Sequence, residues 1–196
     1  MFIEAPEPSG ETERVYRASA ESQGFVMNLT RAWAWRTDVF DGFAALRNQL
    51  TNNSTLSKRD QAVIVCATAA QLGDSYCCFA WGRTLVQEGG PESAAAIIKA
   101  TDSEALTQRD RALAAWSRKV AAAPNATTET DIESLRKAGF SERDIFEATA
   151  FIAFRLAFSM VNDALGVQPD WQLAETAHPA VRQAITFGRV PAAKAN

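Results

Sequence analysis

The residues of this chain best suited to chemistry lie in one short run, Gly73-Asp74-Ser75-Tyr76-Cys77-Cys78. A carboxylate, a hydroxyl, a phenol and two thiols follow one another there. If a helix starts at this point, Asp74 is a preferred N-cap, able to accept from the amides of Tyr76 or Cys77. Asp74 and Cys77, three positions apart, then share a helix face. A free thiol with pKa about 8.5 is only ~3% thiolate at pH 7. Position near a helix N-terminus raises that fraction, whereas the charge of Asp74 opposes it. Cys77 is therefore a candidate reactive thiol in a site that does not favour its ionisation. Cys78 points about 100° away around the helix, and a vicinal disulfide would be strained. Cys66, on the preceding segment, and Cys78 are expected in the core, where free cysteines usually lie.

The elements that must hold these groups are helices. Gly and Pro gather at a few points (Gly89-Gly90-Pro91, Pro124, Gly166, Pro169), and Ala- and Leu-rich stretches at helical spacing run between them. Four segments pair a hydroxyl with an acid three positions on: Ser57 with Asp60, Thr107 with Asp110, Thr130 with Glu133, and Ser141 with Asp144. Each is expected to form a capping box at a helix start. Two of them share the wider pattern L-[ST]-x-R-D-x-A, at Leu56 to Ala62 and Leu106 to Ala112. Convergent capping or an old duplication would each produce that likeness. The helix opened by Ser57 is expected to stop near Leu72-Gly73, and the next to run from Asp74 or Ser75 to Gly89-Gly90. From about Glu142 to Leu165 the chain is apolar on nearly every face, so that helix is expected in the core or across a subunit contact. Its charged residues rule against a membrane span. The fold class is all-α.

Bulk properties exclude several functions. The net charge is −3 and the pI about 5.3, so no basic footprint for nucleic acid is present. No helix pairs a cationic face with an aromatic one, which argues against a membrane surface. The acidic, Pro-broken start lacks the pattern of a signal peptide, so the expected compartment is the cytoplasm, where the odd set of three cysteines stays reduced. His178 is the only histidine. No metal site and no cofactor are expected, and His178 reads as a solvated loop residue.

The run LSKRDQAVIVCATAAQLGDSYCCFAWGRTLVQEGG resembles the alkylhydroperoxidase D (AhpD)-like, carboxymuconolactone decarboxylase family. That family shows a capped helix L-S-x-R-E-x-E, a turn, then C-x-x-C with a histidine four residues after the second cysteine. The stretch DIESLRKAGFSERDIFEATAFIAFRLAFSMVNDALGV is similar to the family's closing helices. The resemblance implies an AhpD-like helical domain over 25–167, with 1–24 as an N-terminal extension and 168–196 as a C-terminal tail. It also implies a peroxidase thiol, a resolving cysteine and a glutamate–histidine relay. Of these roles, Cys77 alone is filled, at the second cysteine. Asp74 stands at the first cysteine, Trp81 at the histidine and Ala62 at the glutamate, a degenerate motif.

One further charge stands out. Arg155 lies between Phe154 and Leu156 in the apolar helix, where a cation needs a counter-charge. Asp163, Asp74 or the anion of a ligand would each serve. Arg83 is expected to be solvated, and the aromatic group Trp33, Trp35, Phe40 and Phe43 is expected in the core or at a subunit contact. Three functions follow. The first is a non-redox enzyme for a small carboxylated or carbonyl-bearing metabolite, decarboxylase- or lyase-like, with Cys77, Asp74 and Tyr76 catalytic and Trp81, Arg155 and Ser75 binding substrate. The second is residual peroxidase activity through Cys77. The third is a non-catalytic ligand-binding or scaffold protein. A homo-oligomer is expected under all three.

Overall fold

A computed structural model describes residues 1–194, and every regular element among them is helical. In order these are α1 (Gly10–Gln23), α2 (Asn28–Trp33), α3 (Thr37–Asn52), α4 (Lys58–Leu72), α5 (Ser75–Gly89), α6 (Pro91–Lys99), α7 (Gln108–Ala122), α8 (Glu129–Lys137), α9 (Glu142–Ala164), α10 (Trp171–Thr176) and α11 (Pro179–Ala184). Short 3-10 turns at Ala34–Arg36 and Pro124–Ala126 join α2 to α3 and follow α7.

The innermost helix is α4. Ten successive residues, Asp60 to Ala69, are all buried, because α5, α6, α7 and α9 pack around it. Small and β-branched side chains on every side let the neighbouring helices approach closely. Helix α9 is less enclosed than its composition suggests. One face, with Ile145, Phe151, Ile152 and Phe154, enters the core, while Phe146 and Met160 stay 73% and 62% exposed on the other.

Three of the four expected capping boxes form, at Ser57, Thr107 and Ser141, each with reciprocal bonds to the acid three residues on. The fourth is displaced. The N–H and hydroxyl of Thr128, not Thr130, donate to the carboxylate of Asp131, at 2.7 and 2.8 Å. The two motifs overlap, and Asp131 wins because Lys119 on α7 reaches it at 2.6 Å.

The α4–α5 hairpin sets the site. Gly73 ends α4 with φ 76°, a left-handed conformation that suits glycine. The amides of Gly73 and Asp74 donate back to the carbonyls of Ala70 and Ala69 at 3.2 and 2.8 Å. Asp74 then caps α5, its carboxylate accepting from the Cys77 amide at 2.9 Å. One residue thus closes a helix and opens the next, which fixes where Cys77 points.

Helix α1 packs on α2, α3 and the turn between them, and α11 packs on α5 and α6. Val15 and Tyr16 of α1 are buried, and Val181 of α11 lies so close to Gly82 that a Cβ there would sit 2.6 Å from its methyl group. His178 is exposed, and its Nδ1 accepts from the Ala180 amide as the cap of α11.

Candidate functional site

A cavity of about 530 Å³ lies between α1, α3, α5 and α9, within the range of small-molecule sites. Helix α5 contributes Tyr76, Cys77, Ala80 and Trp81, and α9 contributes Phe154, Arg155 and Phe158. Helix α3 adds Phe40, Phe43, Ala44 and Arg47, at the i, i+3, i+4, i+7 spacing of one helix face. Aromatic rings from α3, α5 and α9 form one side of the cavity, while α1 faces it with polar Arg14, Ser19, Ser22 and Gln23. Phe43 packs 5.4 Å from Phe154 between ring centroids, Phe154 stacks on Phe158, and Trp81 meets Phe151 edge-on.

Cys77 is 2% exposed. The Nη2 of Arg155 donates to its Sγ at 2.7 Å, and the hydroxyl of Ser159 lies 3.6 Å from the same sulfur. Burial pushes the thiol well above its ordinary range; Arg155 pulls it back, while Asp74 adds to the rise. Desolvation prevails, so the unliganded thiol is protonated. Burial likewise pushes Cys66 up to about 12 and raises Cys78. The Cys78 thiol donates to the carbonyl of Cys66 at 3.7 Å, and both side chains belong to the core.

Arg155 is 4% exposed. Among the described residues no carboxylate forms an ion pair with it, neither Asp163 nor Asp74, and its Nε has no partner. It lies 5.0 Å from the Phe158 ring centre, a cation–π arrangement that offsets part of its desolvation. Arg47, at the mouth of the same cavity, also lacks an acid partner among the described residues, whereas Arg14 is held by Glu11 and Asp41.

The structure brings together Cys77, Tyr76, Trp81 and Arg155 around one space. It places the other two expected residues behind it. Asp74 is 0% exposed and does not line the cavity; one carboxylate oxygen caps α5 and the other has no partner. Ser75 turns away, donating to the Arg189 carbonyl at 2.7 Å, so its hydroxyl ties down the C-terminal segment and is not presented to a ligand. Tyr76 is also committed. Its hydroxyl donates to Asp170 and accepts from the Leu29 amide at 3.4 Å. Burial, with the charge of Asp170, raises the phenol further. Tyr76 thus builds the wall and is no ready proton donor.

Sequence reasoning missed Asp170, Arg47 and the aromatic wall of α3. Asp170 is 94 residues from Tyr76 and carries no local signal. Arg47 did carry one, standing in register with Phe40, Phe43 and Ala44. Trp33 is core, as expected, with its indole N–H donating to Asn162 at 2.8 Å, while Phe40 and Phe43 face the cavity and Trp35 is exposed.

No family model matches the chain, and no curated protein matches it. Solved structures do. An AhpD-core, uncharacterized peroxidase-related protein from Ralstonia eutropha JMP134 is 26% identical, with a TM-score of 0.76 over 97% of each chain. An uncharacterized peroxidase-related protein from Silicibacter sp. TM1040 is 25% identical, with a TM-score of 0.75 over 88% of this chain and 91% of that one. The debrominase Bmp8, solved in complex with 2,3,4-tribromopyrrole, is 16% identical over 94% and 96% of the two chains, with a TM-score of 0.71, a likeness of fold. Helix order and these likenesses define an all-α protein of the AhpD-like class. The chain is similar to AhpD-core and peroxidase-related proteins in fold along nearly its whole length.

Proposed function

We propose that the cavity binds a small, largely apolar organic acid and that the chain is an enzyme acting on it by proton transfer. Arg155 carries this reading: a buried guanidinium on the aromatic side of the cavity, unpaired with any carboxylate among the described residues. An incoming carboxylate supplies the missing counter-charge, and the planar guanidinium suits two parallel hydrogen bonds to it. Cys77 then stands beside the bound acid group. A thiol held protonated by burial is a weak nucleophile and a weak acid. It gives its proton only to a strongly basic centre such as the carbanion or enolate left by decarboxylation. That favours non-redox steps of this kind, the chemistry of the carboxymuconolactone decarboxylase branch. That Bmp8 binds tribromopyrrole is consistent with small ring compounds as ligands for this fold.

The test is a titration of native protein with a panel of small aromatic and aliphatic carboxylates, repeated with Arg155→Met. Loss of roughly tenfold or more in affinity, with the melting temperature kept, is the expected result; such pairs contribute on the order of 1.5–3 kcal/mol. If no carboxylate binds, or the variant binds as well as native protein, the reading is wrong.

A second reading has one observation in its favour, the 2.7 Å approach of Arg155 to Sγ, since a guanidinium stabilises a thiolate. In a peroxidase step the thiolate would attack the terminal peroxide oxygen and the O–O bond would break. The alcohol would leave with a proton, and Cys77 sulfenic acid would return to the thiol with two external thiols. Peroxide consumption lost in Cys77→Ser would decide for this alternative.

A further inference from the structure

The two groups that the ligand reading needs are almost closed off, Cys77 2% and Arg155 4% exposed. That leaves too little surface for a ring compound to grip unless a wall moves. Three of the four helices around the cavity are anchored by buried side chains: Val15 and Tyr16 on α1, Tyr76 and Leu85 on α5, Phe151 and Ile152 on α9. Helix α3 has none. Among the described residues it is the only helix of eight residues or more without a buried side chain. Its inner face, Phe40, Phe43, Ala44 and Arg47, is the cavity wall itself, and Val39 and Leu46 lie in solvent on the outside. An amphipathic helix laid over a hollow has few buried contacts to hold it down.

Both ends of α3 are fixed. Before it, the Trp35 indole donates to the Glu4 carbonyl at 2.9 Å, and buried Trp33 donates to Asn162. After it, the Gln61 amide donates to the Thr51 carbonyl at 3.0 Å. The Ser54 hydroxyl and the Thr55 amide donate to Glu147 at 2.6 and 2.9 Å. Between Val39 and Leu50, Asp41 is the one side chain among the described residues that bonds outside the helix. It accepts from Nη2 of Arg14 on α1 at 2.5 Å. Both residues line the cavity and their side chains are 41% and 52% exposed. Exposed pairs of this kind are weak enough to part and re-form readily. Beneath the pair, Phe43 rests on Phe154 and Phe158, ring contacts that slide without breaking a hydrogen bond.

We propose that α3 is a lid over the cavity and that Arg14 and Asp41 are its latch. Parting of the pair lets the middle of α3 swing from α1 and opens the way to Arg155 and Cys77. An entering carboxylate competes with Asp41 for Arg14, so an acid ligand itself loosens the latch. Once inside, the ligand fills the hollow and gives the inner face of α3 something to pack on, and the lid closes. Arg14 and Asp41 govern access and take no part in the chemistry. The proposal rests on the cavity being the ligand site, and its test uses no ligand.

Access is read by alkylation of Cys77 with iodoacetamide, a small neutral probe, and mass spectrometry of the Cys77 peptide. The charges that act on the thiol are those of Arg155 and Asp74, so changes at the latch report access and not ionisation. Asp41→Arg sets two like charges against each other and should raise the rate several-fold. Combining it with Arg14→Asp restores opposite charges and should bring the rate back toward the native value. In Asp41→Arg, hydrogen exchange over residues 40–50 should quicken by a similar factor, with Asp60 to Ala69 of α4 unchanged. A rate that Asp41→Arg leaves alone, a gain that the exchanged pair does not reverse, or exchange that quickens equally in α4 overturns the lid. Failure of carboxylates to bind at Arg155 would move none of these readings, so the two proposals fail separately.

Discussion

Arg155 and Cys77, 78 residues apart, meet with the guanidinium Nη2 donating to Sγ at 2.7 Å. Two buried groups that each need a counterpart are thereby placed together, a cation without a carboxylate and a thiol without a base in the cavity. Arg155 opposes the burial that keeps the thiol protonated. Arg155→Met removes that opposition, so the thiol becomes harder to ionise and its alkylation profile should move to higher pH. At a given pH below the thiol pKa, each unit of movement lowers the thiolate fraction about tenfold. An unmoved profile would show that Arg155 does not govern the sulfur.

Tyr76 and Asp170 form the other long-range pair at the site. The Asp170 carboxylate also accepts from the Asn28 amide at 2.9 Å, so it pins α2 and the segment before α10 to α5. Tyr76→Phe leaves a buried carboxylate short of one donor. The expected loss is about 1–3 kcal/mol in urea unfolding, and a change within error would mean the hydroxyl contributes nothing net.

Local signals made the helices readable and left the site half hidden. The Asp74 cap, the Gly73 stop and the limits of α9 follow from side chains meeting their own backbone within a turn, which sequence spacing encodes directly. Thr128 displaced Thr130 because Lys119 from another helix chose between overlapping acids. The placement of Cys77 and Arg155 near each other was within reach, since a buried cation has few options. Its actual neighbour, a sulfur, was not, and neither was Asp170, because both depend on how distant helices dock.

The paired motifs L-S-K-R-D and L-T-Q-R-D show a relationship that capping alone does not require. Arg59 holds Asp110 through two bonds of 2.9 and 2.7 Å, and Arg109 holds Asp60 at 2.9 and 3.2 Å. Each arginine also donates to a backbone carbonyl, Glu88 or Gly139. The exchange is reciprocal, so the two helix starts are locked across each other. Asp60 and Asp110 are buried and their arginines partly exposed. Arg59→Met should therefore cost about 3 kcal/mol, the lower end for breaking a buried pair. Combining it with Asp110→Asn should cost less than the sum of the two. Simple additivity in chemical denaturation would show that the pair does not act as a unit.

The exposed stripe on α9 bears on assembly. Phe146, Ala153, Ala157 and Met160 recur at helical spacing on the outer face. A second copy of the chain, offering the same stripe in return, is the proposed cover, as an isologous contact would provide. Light scattering at micromolar concentration should report a dimer or larger, and Phe146→Glu with Met160→Glu should reduce it to a monomer with the fold intact. A native monomer would remove the proposal.

The last prediction concerns Asp163 and the sign of its effect on stability. Its folded carboxyl is raised to about 7, chiefly by burial and then by Asp74, against about 3.9 in an unfolded chain. Between those two values the folded state binds more protons than the unfolded one. Stability from this group is thus fully present below about pH 4, falls as pH rises toward 7, and is level above it. Other groups also titrate, so the difference between native protein and Asp163→Asn isolates this contribution. The two should unfold at similar urea concentrations near pH 4.5, and the variant should be the more stable at pH 8. The gap should open across the interval between. A variant less stable than native protein at pH 8 would mean that the ionised carboxylate of Asp163 is stabilised where it stands, and that neither burial nor Asp74 strains it.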